Sequence, residues 1–370
     1  TDDENQTSAV RSFNIIVTND APSNHFNTVL YNGNSGTQSI TGLNFEPGLV
    51  WIKRRSATED HALFDIVRGT QRQISSNLTS AAYTTSNAVS SFNSDGFTTG
   101  NNGATNASGQ TYVAWNFKAG GAATTIAANT VGNTIASDVS VNNTLGFSIT
   151  KYTGNGSNGA TVAHGLGAIP DLILLKSTSA SESWAVFANV ASAGATGTLY
   201  LNTNNGFTVT SSRWNNTTPT SSVFTLGTDG TVNTSSQNYI AYSFVSKVGF
   251  SKVGTYTGNN GSNAIQTDFE PAFLLIKSAS ISNNWIILDN KRSPVNQRKQ
   301  TLYPNSNAAE STQTVNVNFL TNGFELTNGN SDVNDNGATY IYLAIAADGT
   351  TSTPTLANSF ATELYNGNSS

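Results

Sequence analysis

The stretch SDVNDNG, residues 331–337, is the one phrase in this chain whose spacing could hold a metal. Asp332, Asn334 and Asn336 alternate and Gly337 follows, as in the first half of a calcium loop. Such a loop rings a hard cation with side-chain oxygens and needs a bidentate Glu at its twelfth position. Counted from Asp332, that position is Leu343. A polar turn is therefore expected, with calcium held by Asp332 and Asp335 as the alternative; no other cofactor is expected.

A second candidate is the basic run NKRSPVNQRK, residues 290–299, carrying Lys291, Arg292, Arg298 and Lys299. Point charges of this kind suit an acidic glycan or phosphate, although a solvated loop is the simpler reading. The third is the aromatic and basic pair Arg213–Trp214 in SSRWNN. It falls in a stretch peculiar to one part of the chain, so Trp214 is expected at the surface, in contact with a receptor or glycan. His164, in VAHGLGAIPD, has no partner at useful spacing and reads as a turn residue. No phosphate-binding loop, nucleophile elbow or zinc motif appears, and the acids are too scattered to select a catalytic pair. No enzyme is expected, with a polysaccharide depolymerase as the alternative.

The elements that would carry these residues follow a repeated grammar. Tyr-x-Gly-Asn opens at Tyr31, Tyr152, Tyr256 and Tyr365. Each of the first three is followed by a short apolar run ending in lysine, GLVWIK (48–53), DLILLK (171–176) and AFLLIK (272–277). An aromatic-rich run comes next, HALFDIVR (61–68), SWAVFANV (183–190) and NWIILDNK (284–291). A Gly-Phe strand follows, DGFTTG (95–100), NGFTVT (205–210) and NGFELT (322–327), and then a tyrosine strand, TYVAWNF (111–117), NYIAYSF (238–244) and TYIYLAI (339–345). The second unit is read as carrying an insertion at about 211–230. The places equivalent to SDVNDNG, residues 101–109 and 228–236, keep the turn but not the carboxylates.

The tyrosine strands alternate in period 2, and the lysine runs are continuously apolar, as strands buried on both faces are. Turn clusters such as NGNSG and SDG separate them. Of the five tryptophans, Trp51, Trp115, Trp184 and Trp285 lie in or beside strands and are expected in cores. The fold class is all-β: tandem antiparallel β-sandwich, jelly-roll-like domains. The organisation is an N-terminal segment or edge strand (1–27), unit one (28–119), a linker or edge strand (120–145), unit two (146–249) and unit three (250–349). Residues 350–370 read as a linker and the start of a truncated fourth unit, or as a strand exchanged with a neighbour. Units two and three abut through SKVGFSKVG (246–254) and are expected to pack as a rigid pair.

Composition narrows the function classes. Only 11% of the 370 residues are charged, and the net charge is −5, which argues against a nucleic-acid partner. There is no cysteine, so disulfides and thiolate sites are excluded, and no apolar run is long enough for a transmembrane helix. The chain has no methionine, which suggests a processed product or a piece of a longer protein.

Several long phrases resemble a repeat abundant in structural proteins of marine bacteriophages, including cyanophages. They are YIAYSFVSKVGFSKVGTYTGNNGS, FEPAFLLIK, NWIILDNKRSP, LYPNSNAAES, FLTNGFEL and GATYIYLAIA. FEPGLVWIK, DHALFDIVRG, SFNSDGFTTG and TYVAWNFKAGG resemble the companion unit that precedes it, and the likeness runs over about residues 28–348. Relatives often carry cysteine in the closing strand, where this chain has Asn116 and Ser243. The resemblance carries no catalytic residues. It implies a virion structural protein of tail-fibre type, a homo-oligomer and commonly a trimer, touching other virion proteins and a bacterial surface glycan or receptor. Capsid decoration, a glycan-degrading tail domain and a strand-exchanging filament are the alternatives.

Overall fold

A computed structural model of the chain describes residues 20–189 and 194–348. The expectations for residues 1–19 and 350–370 lie outside the described residues. The described chain is nearly all β; its α-helices are the single turns Gly103–Asn106 and Ser331–Asn334. Among the described residues no helix is long and apolar enough to cross a membrane.

Each unit contains an inner sheet with the same strand order. An opening strand pairs with a closing strand, the closing strand with the lysine strand, and the lysine strand with an aromatic strand, all antiparallel. In unit one these are Phe26–Asn32, Thr111–Phe117, Leu49–Arg54 and Ala62–Asp65. In unit two they are Phe147–Thr153, Asn238–Phe244, Leu172–Ser177 and Ala185–Ala188. In unit three they are Ser251–Thr257, Thr339–Ala346, Pro271–Ser278 and Ile286–Asp289. A smaller outer sheet covers one face of each inner sheet. It is built on Gln38–Thr41, Gly96–Thr99 and Val89–Asn93 in unit one, and on Asn263–Gln266, Gly323–Leu326 and Ser311–Leu320 in unit three.

Unit two departs from the expected assignment. Its outer sheet has two strands, Ala160–Ala163 and Val223–Leu226. The Gly-Phe phrase at 205–210 is not the outer strand: Thr208–Val209 instead makes a short exposed pairing with Gly197 and Thr198 at the rim of the inner sheet. The sequence signal was a local echo, and the register with Ala160–Ala163 selected a different segment. The segment 120–145 contributes two strands, Thr124–Ile126 and Ser137–Asn142, which extend the unit-two sheet beyond its opening strand.

Alternation on the lysine strands shows why they are apolar throughout. Val50 and Ile52 face the core of their own sandwich, as Ile173 and Leu175 do in unit two and Leu274 and Ile276 in unit three. Leu49 and Trp51, Leu172 and Leu174, and Phe273 and Leu275 face the other way, into one core common to all three units. Each inner sheet is thus sandwiched between its own outer sheet and the shared centre, and both faces leave water. Phe117 of unit one packs at 5.4 Å from Phe147 and 5.8 Å from Phe244 of unit two, and 6.1 Å from Phe273 of unit three. Packing is therefore not confined to units two and three; unit one joins the same core. The ends of the described chain also meet: the Ser23 amide donates to Asp348 Oδ1 at 2.8 Å.

Candidate functional site

The repeated Tyr-x-Gly-Asn phrase builds a lock that occurs three times among the described residues. The opening tyrosine stacks on the closing one, Tyr31 on Tyr112, Tyr152 on Tyr239 and Tyr256 on Tyr340, with ring centroids 5.0–5.2 Å apart. The opening hydroxyls donate to the carbonyls of Thr105, Val232 and Val333. The closing hydroxyls donate to Gly103, Gly230 and Ser331 and accept the amides of Ala107, Thr234 and Asp335. Beside each stack a fully buried asparagine, Asn106, Asn233 or Asn334, accepts the amide of Asn34, Asn155 or Asn259. The same side chains donate to the carbonyls of Gly100, Gly227 and Asn328. Burial, and secondly the neighbouring phenol, push Tyr31, Tyr152 and Tyr256 well above the ordinary tyrosine range.

This lock accounts for SDVNDNG. Ser331–Asn334 is a helical turn capped by Asn330. Asp332 Oδ1 accepts the Asn284 amide at 3.0 Å, and burial raises its carboxyl above the ordinary range, the opposite of what a calcium ligand needs. Asp335 Oδ1 accepts the Asn336 amide. Among the described residues no group of three His, Cys, Asp or Glu side chains is placed to hold a metal ion, and both carboxylates of the phrase accept backbone amides.

The units are joined by a second triplicate. Trp184 Nε1 donates to Ser75 O, from unit two to unit one, and Trp285 Nε1 to Tyr200 O, from unit three to unit two. His61 holds the equivalent place in unit one, and its Nε2 meets Tyr303 O of unit three at 2.9 Å. Because the Trp51 indole donates to His61 Nδ1, the imidazole proton sits on Nε2 and is donated to Tyr303. Burial, and next the Lys53 charge, lower the His61 pKa to about 3, so the ring is neutral at ordinary pH. The backbone amides of these three residues bond the side-chain oxygens of Asn77, Asn202 and Asn305. The joints run cyclically, one to three, three to two, two to one.

Carboxylates reinforce two of the joints. Asp65 Oδ2 accepts from Arg68 and from Tyr242 of unit two. Asp289 Oδ2 accepts from Arg292 and from Trp115 of unit one. In unit two the equivalent residue is Ala188, and the residue equivalent to Trp115 and Tyr242 in unit three is Leu343; both belong to the shared core. An acid is kept only where a donor faces it.

Each lysine strand buries its lysine completely, Lys53, Lys176 and Lys277. Lys176 Nζ donates to Ser177 O and, across a joint, to Thr79 O; Lys277 Nζ donates to Ser278 O and to Asn204 O of unit two. Lys53 Nζ donates to Arg54 O. Burial lowers Lys53 and Lys176 to about 8 and Lys277 to about 7, opposed by nearby acids.

Two of the four basic residues expected as contacts in the 290–299 run are structural. Arg292 is buried; its guanidinium binds Asp289, Glu310 and the carbonyls of Ile287 and Gln300, and lies over the Trp115 ring. Arg298 is buried over Phe319 with Glu270 3.7 Å away. A buried carboxylate such as Asp289 requires such a cation, and the cation is then withdrawn from solvent. Lys291 is exposed, on a groove between units one and three, and Lys299 is half-buried.

Trp214 is also the reverse of expectation. It is buried in the unit-two sandwich, edge-on to Phe187 at 5.7 Å. Unit two lacks the third outer strand that supplies Val89 in unit one and Val315 and Val317 in unit three, and the indole fills that space. Arg213 beside it lines an open polar cleft of about 540 Å³ with Glu182, Tyr200, Asn205, Asp229 and Gly230. Its guanidinium lies over Tyr200 at 5.6 Å and 3.4 Å from Asp229. Sequence reasoning missed Glu182, Tyr200 and Asp229. The signal available was Glu182, which keeps an acid where unit three has Asn283. His164 is buried in a turn, with Nδ1 accepting the Leu166 amide.

Fold and joints together define an all-β protein of three sandwich repeats closed around one core. The chain belongs to the family described as Domain of unknown function (DUF7483), whose model matches residues 21–348. That span takes in all three units at once. No curated protein and no solved structure matches the chain.

Proposed function

We propose that the protein is a non-enzymatic structural module of a virion appendage, of tail-fibre type, that presents loops to the host surface. The observation that carries this reading is the shared core: three sandwiches are welded by Trp184, Trp285 and His61 into one threefold body within a single chain. Such a body is rigid, and loops on a rigid frame suit attachment. Few charges, many hydroxyl and amide side chains and doubly buried sheets suit a durable particle-surface protein. Several copies per particle would add weak contacts by avidity, whether as a homotrimer or as separate appendages.

Capsid decoration is the second reading, favoured by the same feature, since a body already threefold needs no trimerisation to sit at a threefold position. The test is labelling of intact particles with antibody against this chain, viewed by electron microscopy. Label on tail appendages supports the first reading and label over the capsid the second. Unlabelled particles, or release of reducing ends from host polysaccharide by the purified chain, would overturn both.

A further inference from the structure

The three units allow each local arrangement to be compared with its two internal copies. The carbonyl that begins the helical turn, at Gly103, Gly230 or Ser331, accepts the closing tyrosine hydroxyl in every unit. A carbonyl has a second lone pair. In unit one Arg54 Nη2 donates to it while also pairing with Glu59 at 2.8 Å. In unit three Asn283 Nδ2 donates to it.

Unit two has the acceptors without the donor. Glu182 is the counterpart of Glu59, and Ser177, too short to reach, is the counterpart of Arg54. Gly230 O receives no hydrogen bond besides that of Tyr239 among the described residues, and the half-buried Glu182 carboxylate accepts none. The Glu182 carboxylate lies against Gly230: a Cβ placed on that glycine would be 2.6 Å from Glu182 Oε1. Both line the open cleft. Asp229 is already paired with Arg213, and Gln237 turns its own acceptor, Oε1, toward Tyr239 and Ser177. The cleft therefore holds a carboxylate that accepts no hydrogen bond among the described residues, its charge opposed through space by Lys176, whose ammonium is bonded to Thr79 O and Ser177 O, and a free carbonyl lone pair.

We infer that this cleft binds the guanidinium of an arginine side chain from a partner protein. The arginine takes the place that Arg54 fills in unit one: one N–H to Gly230 O and a charge-assisted bond to Glu182. Glu182 rather than an amide selects a cation, and the flat fork of a guanidinium fits two acceptors on different segments. The inference does not depend on the virion assignment.

The test uses the full chain and N-acetyl-L-arginine methylamide as probe, followed by amide NMR shifts. Saturable shifts at Glu182, Asp229 and Gly230, lost in Glu182→Gln and weaker with N-acetyl-L-lysine methylamide, are expected. No shift at these amides, or the same shifts with a neutral disaccharide alone, would overturn it. A second variant supplies the arginine internally. Ser177→Arg should raise Tm and abolish probe binding, and the gain should vanish in Ser177→Arg/Glu182→Gln. A gain that survives loss of Glu182 would sink the proposal. Should Ser177→Arg fail to fold, the titration of the unmodified chain decides alone.

Discussion

Trp115 and Asp289 stand 174 residues apart, and the indole N–H of one donates to the carboxylate of the other at 2.9 Å in the buried joint between the first and third sandwiches. The same carboxylate takes Arg292 Nε at 2.6 Å, so one acid serves a turn of its own unit and the wall of another. Stability within a unit and stability between units are therefore coupled.

Asp289→Ala leaves Arg292 buried with Glu310 as its remaining acid and removes the acceptor of Trp115. A loss of about 3–5 kcal/mol is expected, as for breaking a buried pair. Because the core is shared, the loss should shift one common transition rather than release one unit. Urea unfolding followed by tryptophan fluorescence and by far-ultraviolet circular dichroism should coincide. Separated transitions would contradict a single core.

Unit one exchanges volumes between two neighbouring positions. Trp51 and His61 stand where units two and three have Leu174 with Trp184 and Leu275 with Trp285. Trp51 and His61 touch, with ring centroids 5.9 Å apart. His61→Trp alone overpacks the joint and should cost about 1–3 kcal/mol. Adding Trp51→Leu should recover much of that loss, giving a coupling of about 0.5–3 kcal/mol in a double-mutant cycle. Additive effects would show that the two positions do not share space.

Lys277 gives the chain a pH dependence of definite sign. Its pKa falls from 10.5 to about 7 on folding, chiefly through burial. Between those values the unfolded chain holds a proton that the folded chain has released, so stability rises with pH across this window. Lys53 and Lys176, lowered to about 8, add to the rise over a narrower range. Lys277→Met should flatten the profile, and its stability relative to the parent should decline as pH climbs from 7 towards 10.5. Urea midpoints measured across that range check it; a constant difference would mean that Lys277 does not titrate there.

Trp214→Ala should cost about 3–5 kcal/mol, as expected for emptying a core aromatic site. The indole N–H finds no acceptor among the described residues, so Trp214→Phe should cost much less than Trp214→Ala. Thermal melts of the two variants separate a packing role from a surface role. If Trp214→Ala melts like the parent, the residue is not part of the core.

The sequence alone determined the three repeats, the strands that form the inner sheet of each unit and the double burial of the lysine strands. These are local properties: period-2 alternation, continuous apolar runs and turn residues act over a few neighbours, and the same phrase makes the same stack in each of the three described units, Tyr31–Tyr112, Tyr152–Tyr239 and Tyr256–Tyr340. Only the tertiary structure decided what the second face of each inner sheet meets. Nothing in GLVWIK distinguishes burial against a helix, another chain or the centre of its own chain. It decided likewise that Arg292 serves Asp289 and Glu310 rather than a receptor, since compensation of a buried charge depends on distances through space. It moved Trp214 inward, because the need for an indole arose from an outer strand missing in unit two, and placed Glu182 against Gly230 with no arginine between them. The physical reason is common to these cases: backbone pattern is written along the chain, whereas a partner for a surface, a charge or a lone pair is supplied by whatever the fold brings next to it.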